Sequence, residues 1–150
     1  MSTNTARPAL ATTSVVDRPW WQLAIVAAVV AAVANLIVYA IAEGPAGLNL
    51  RVPNQQAGGD LVDLGPGPVV LFSVLPAAVA ALLAAGLARW SSTPRRWFLA
   101  IALVVLAVSF LPLVGADLPT STRLTLGIMH VVTAGAIIAP FARRLTNRDR

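Results

Sequence analysis

Long apolar runs separated by short polar connections organise this chain. Four stretches approach or reach the roughly 20 apolar residues that a bilayer-spanning helix requires: Trp20 to Ala42, Pro68 to Ala88, Trp97 to Val114 and Leu124 to Ala142. Between them lie "EGPAGLNLRVPNQQAGGDLVDLGPG", "RWSSTPRR" and "GADLPTST", each carrying the Gly, Pro, Ser or Asp that ends a helix and turns the chain. In hydrocarbon a backbone group finds no partner but its own segment, and these runs lack the two-residue alternation of a barrel strand. The pattern therefore predicts an all-α integral membrane protein, four transmembrane helices in an up-down bundle over residues 20–142. The expected spans are 20–42, 68–88, 97–114 and 124–142, with an external loop at 43–67. Residues 1–19, polar and broken by Pro, read as a disordered tail, and 143–150 as a basic one. The "AIA" at 40–42 resembles a signal-peptidase site. The run before it exceeds the about 7 to 15 residues of a signal core, and cleavage would leave an odd number of spans, so it is read as a span.

Composition strengthens the membrane reading: 57% of residues are hydrophobic and 11% charged, too apolar for a surface facing water. All 11 basic residues are Arg, and most flank the apolar runs, so the net charge of +5 is an orientation signal and not a nucleic-acid patch. Arg7 and Arg18 precede the first run. Arg89, Arg95 and Arg96 flank the second connection, and Arg143, Arg144, Arg148 and Arg150 follow the last run. On the other side stand only Arg51 and Arg123, with Glu43, Asp60, Asp63 and Asp117. The positive-inside rule then places both termini in the cytoplasm. All four tryptophans (Trp20, Trp21, Trp90, Trp97) fall on that same boundary, where an amphipathic indole sits at headgroup level. With these arginines they form the expected interface anchors, and anionic lipid headgroups are the expected partners of "RWSSTPRR" and "ARRLTNRDR". Homo-oligomerisation and an unidentified membrane partner stay open.

Few polar side chains lie within the spans: Asn35 and Tyr39 in the first, Ser73 in the second, Ser109 in the third, His130 and Thr133 in the fourth. At about 1.5 Å per residue, Asn35 lies about 12 Å from Glu43, Ser109 about 12 Å from Asp117, His130 about 10 Å from Arg123 and Ser73 about 10 Å from Pro66. Because successive helices alternate in direction, these positions share one depth in the outer half of the bilayer. Ala27, Ala31, Asn35 and Tyr39 follow one another at four-residue steps, as do Ala77, Ala81 and Ala85, whereas Gly127, His130 and Ala134 share a face of the fourth run. An interior contact between Asn35 and His130 is the expected consequence. Pro76 lies inside the second run, where it should kink the helix and free a carbonyl near Phe72 for Ser73 to re-satisfy. Pro112 and Pro140, nearer the ends, read as terminators.

Two readings of the polar layer stand at this point. One is closed packing that fixes helix register through hydrogen bonds of about 0.6 kcal/mol each. The other is an outward-facing pocket around His130, oriented by Asn35 and covered by the 43–67 loop, whose apolar and charged segments suit either a short strand or a disordered loop. Catalysis is not expected. Without cysteine there is no thiol chemistry, and one histidine with no carboxylate at its depth provides neither an activated nucleophile nor a metal set, so no cofactor or metal is expected either.

In "ANLIVYAIA", "VSFLPLVGA" and "RLTLGIMHVVTAGAIIAPFARR" the chain resembles a family of small actinobacterial four-span membrane proteins of unknown function. The resemblance covers nearly everything after residue 20 and implies a bacterial inner-membrane location and this architecture, with Asn35, Ser109 and His130 at the matching polar positions. It brings no activity or cofactor. The sequence thus points to a non-enzymatic structural or accessory component of the cell envelope, with a small-molecule binder or transporter as the alternative.

Overall fold

The computed structural model describes residues 19–54 and 60–146. The leading segment and residues 147–150, with Arg7, Arg18, Arg148 and Arg150, lie outside them. In chain order the elements are α1 (Trp20–Glu43), β1 (Arg51–Pro53), β2 (Leu61–Asp63), α2 (Pro66–Trp90), α3 (Pro94–Ser109), α4 (Leu111–Gly115) and α5 (Thr120–Arg144). Four helices, counting α3 and α4 as one over Pro94–Gly115, are long and apolar enough to cross a membrane. Their outer surfaces agree. On α1, Ile25, Val29, Val33, Ile37 and Ile41 stand exposed at four-residue spacing, a continuous apolar face that only lipid or another apolar surface can cover. The chain is a multi-pass membrane protein.

Helix ends depart from the apolar runs in both directions because hydropathy marks the lipid-facing length and not where backbone hydrogen bonding stops. Pro66 and Pro94 start α2 and α3, where a missing N–H costs nothing and φ is already helical. In α5 the polar Thr120 to Arg123 form the first turn ahead of the apolar run. The expected third span is broken at Phe110. Pro112 has no N–H and its ring crowds the carbonyl of Val108, so the chain tightens just before it, with the Phe110 N–H donating to the Ala107 carbonyl at 3.2 Å. One further turn follows as α4. Pro140, expected to terminate its helix, instead lies inside α5, which runs on to Arg144. Pro76 lies inside α2, which continues through it.

Around the bundle, α1 packs on α2 and α5, α3 packs on the same two helices from the other side, and α2 and α5 also touch. The closest association, α1 with α2, follows from side-chain size. Ala27, Ala28, Ala31 and Ala32 of α1 are buried together with Ala77, Ala80 and Ala84 of α2, and methyl side chains let two backbones approach closely. The α2 stripe thus runs Ser73, Ala77, Ala80, Ala84, in place of the expected Ala77, Ala81, Ala85. Alanines sit at all five positions of the last two steps, so spacing alone could not choose between the faces.

The two ends of the bundle are built differently. At one end Trp20 stacks on Phe141 (ring centroids 6.3 Å apart), Phe98 tilts against Phe141 at 6.0 Å, and the Arg144 guanidinium lies 4.0 Å above the Trp20 ring. These contacts tie α1, α3 and α5 together. The remaining tryptophans and Arg89, Arg95, Arg96 and Arg143 belong to the same end, and Trp21, Trp90 and Trp97 are exposed. At the other end the all-helical expectation needs correcting. β1 and β2 form an antiparallel pair in the register Arg51–Asp63, Val52–Val62, Pro53–Leu61. Leu50 and Leu64, flanking the strands and joined by a Leu64 N–H to Leu50 carbonyl bond of 2.7 Å, are buried with Ala42 and Val69, and Tyr39 and Leu126 pack against them. Glu43, the last residue of α1, accepts the Leu50 N–H at 2.8 Å and so fixes where the loop folds back.

Candidate functional site

Buried Ser73 and half-buried Thr133 converge on Asn35. It lies on the small-residue face of α1, two turns beyond Ala28 and one beyond Ala31, where α2 comes nearest, and only 4% of it is exposed. Its Nδ2 donates two hydrogen bonds, to Ser73 Oγ of α2 at 2.9 Å and to Thr133 Oγ1 of α5 at 2.7 Å. Ser73, fully buried, donates its own hydroxyl proton to the Val69 carbonyl one turn earlier at 2.7 Å, which leaves its lone pairs free to accept from Asn35. One amide therefore joins three helices. Asn35 Oδ1 is buried and has no hydrogen-bond partner.

The structure brings together three of the six polar residues named from sequence and separates the others. Thr133, itself half-buried, reaches the cluster because it stands in four-residue step with the buried Thr125, Met129, Ile137 and Phe141 of α5. His130 is one position on from Met129, about 100° further round the helix. It is half-buried, and its Nδ1 is 2.7 Å from the Leu126 carbonyl of its own helix, so this nitrogen carries the proton. Its ring tilts against Phe110 with centroids 5.7 Å apart, and Gly127 lies on the same side, where an added Cβ would meet Phe110 at 3.5 Å. The expected face of Gly127 and His130 exists, but it turns toward the break between α3 and α4. The expected contact of Asn35 with His130 does not form.

Ser109 likewise closes on its own helix, donating to the Leu106 carbonyl at 2.6 Å. Tyr39 belongs to the apolar contacts beneath the hairpin. The hydroxyl of Ser73 takes the Val69 carbonyl and not that of Phe72, which Pro76 leaves without its usual donor. Sequence reasoning also passed over Thr122 and Thr125, both buried in the first turns of α5, the latter donating to the Ser121 carbonyl at 2.9 Å. The four-residue step from Thr125 to Met129 was the available signal. Beside them Arg123 folds back onto the Ala116 and Leu118 carbonyls at 3.3 and 3.5 Å, closing the connection ahead of α5.

Chemically, the cluster offers neutral donors and acceptors and no charge. Among the described residues no group of His, Cys, Asp or Glu could hold a metal ion. The hairpin end of the bundle, beyond the cluster, is filled by Leu50 and Leu64, side chains with no polar atom to offer a ligand. Asn35, Ser73 and Thr133 thus make a cross-helix tie in which two groups, the Asn35 carbonyl oxygen and the Thr133 hydroxyl proton, find no partner among the described residues.

Neither a curated protein nor a solved structure matches the chain. Four apolar spans and a polar tie within them are features of a class of protein and not of an activity. The relationship that does appear is at the level of the family: residues 15–147 match the model of a family of unknown function, DUF6069, and the chain belongs to it.

Proposed function

We propose that this protein is a non-enzymatic integral membrane component with a structural or accessory role in the bacterial cell envelope, lying in the inner membrane with both termini cytoplasmic. The observation that carries the reading is the Asn35 amide. Both of its protons are engaged by hydroxyls of two other helices, so the amide ties helix register and keeps no donor of its own for a ligand. The closed outer mouth supports the same reading, since Leu50 and Leu64 pack where an outward-facing pocket would open. The arginine and tryptophan distribution supports the orientation. His130, bonded within its own helix and tilted against Phe110, has the surroundings of a packing residue.

Purification from the native membrane in mild detergent, with mass spectrometry of proteins and small molecules together, tests this role. Copurification of an envelope protein, unchanged by His130→Leu, is expected. A small molecule retained in stoichiometric amount and lost in His130→Leu would overturn the reading in favour of a binder or transporter.

A further inference from the structure

We infer that the junction of Asn35 and Thr133 is a binding site for a single internal water molecule, which donates to Asn35 Oδ1 and accepts the Thr133 hydroxyl proton. The site rests on the helix tie described above and is independent of the envelope role. Two unpartnered groups define it. Asn35 Oδ1 belongs to a residue only 4% exposed and accepts no hydrogen bond. Thr133 Oγ1 accepts from Asn35 Nδ2 at 2.7 Å, and its own proton goes to no group among the described residues. That sets Thr133 apart from its counterparts. Ser73, Ser109 and Thr125 each donate to a carbonyl three or four residues back in their own helix, at 2.7, 2.6 and 2.9 Å.

Covalent geometry puts both groups within reach of one molecule. One amide carbon joins Oδ1 to Nδ2 through bonds of about 1.23 and 1.33 Å, and Nδ2 is 2.7 Å from Thr133 Oγ1, so the two oxygens are no more than about 5.3 Å apart. A water bonded at about 2.8 Å on each side spans that distance. Ala31 and Ala77, one turn from Asn35 and from Ser73, present only methyl groups beside the amide, and half-buried Thr133 sets the junction at the edge of the packed core. The pair offers one acceptor and one donor and carries no charge. A hard cation takes about six or more oxygens and finds one free here, while an anion finds one neutral donor. What fits is a neutral molecule that donates once and accepts once, and the burial of Oδ1 limits it to the size of water. Buried waters typically make about two to four bonds to groups otherwise left unsatisfied, and hydrocarbon supplies no other partner for either oxygen.

A crystal structure of the full chain grown in lipid, at a resolution that shows ordered water, tests the site. Density for one water within hydrogen-bonding distance of both Asn35 Oδ1 and Thr133 Oγ1 is expected. In lipid nanodiscs the Asn35 side-chain amide protons, identified by their loss in Asn35→Ala, should show a nuclear Overhauser effect to water. Thr133→Ser should keep that signal. Thr133→Val, close in shape but without the hydroxyl, should lose it while the bond from Asn35 to Ser73 remains. No density between the two groups, or a Thr133 hydroxyl turned onto the Met129 carbonyl, overturns the proposal and leaves the helix tie standing. So does a water signal unchanged in Thr133→Val. A larger molecule bridging Asn35 and Thr133 would overturn the water site and the structural reading together.

Discussion

Asn35 gives two protons to two hydroxyls and keeps a buried carbonyl oxygen without a partner, so its contribution is smaller than a fully paired amide would make. Cross-helix hydrogen bonds in membranes average about 0.6 kcal/mol and reach about 1.7. Asn35→Ala should therefore lower unfolding stability in detergent by about 1 to 2 kcal/mol, the two lost bonds partly offset by removal of the orphaned oxygen. A double-mutant cycle of Asn35→Ala with Thr133→Val should give a coupling of about 0.6 kcal/mol or more, whereas the cycle with His130→Leu should give a value near zero. The distinction follows from His130 bonding its own Leu126 carbonyl. Coupling of His130 with Asn35 as strong as that of Thr133 would contradict the geometry. That Asn35 and Ser73 share one level of the bundle was legible from the sequence, because rise per residue is fixed. The direction each faces was not, since in a bilayer both the lipid side and the packed side of a helix are apolar and hydropathy no longer separates them.

At the scale of the element, residue size replaces hydropathy as the signal. Ala77 and Ala84 are fully buried on α2 while Ala81 is only partly so. Ala77→Leu or Ala84→Leu should push α1 away and cost about 1 to 3 kcal/mol, with Ala81→Leu costing less, as measured by unfolding in detergent. Equal tolerance at all three would place the α1–α2 interface elsewhere. The 43–67 connection makes a second test. Leu50 is fully buried beneath the hairpin, so Leu50→Ala should destabilise by about 2 to 5 kcal/mol, and limited proteolysis should then cut within the 43–67 connection faster than in the unmodified protein. A long loop of mixed composition did not announce in sequence whether it would order. Ordering depends on Leu50 and Leu64 finding the cavity edged by Ala42 and Val69, contacts that exist only once α1 and α2 have packed. The break at Phe110 is the opposite case, since Pro112 dictates it locally.

For the whole molecule, the proposed orientation puts the aromatic end in the cytoplasm and the hairpin outside. The absence of cysteine makes this simple to measure, because any introduced thiol is the sole reporter. In intact cells a membrane-impermeant maleimide should label Asp60→Cys, at an exposed position beside the hairpin, and should label Ser92→Cys only after permeabilisation. The reverse pattern would invert the bundle. The two ends suit their proposed surroundings for different reasons: Trp20, Phe141 and Arg144 form a rigid aromatic seal at headgroup level, while the hairpin carries its polar backbone on paired strands and shows an exposed Arg51–Asp63 ion pair, at 3.4 Å, to water.

Four candidate spans, their approximate limits and the gathering of all Trp and most Arg at one end are legible in the sequence alone. Each of these depends on length, composition or rise per residue, quantities that accumulate along the chain. Packing between elements is what makes Thr133 and not His130 meet Asn35, turns Ala80 and Ala84 of α2 to their neighbours, and seats Leu50 and Leu64 at the hairpin end. Those choices turn on rotations of about 100° between adjacent residues of helices that are apolar all round. Such rotations are fixed by how small side chains let particular backbones approach, and that is a property of pairs of helices, which no single stretch of the chain contains.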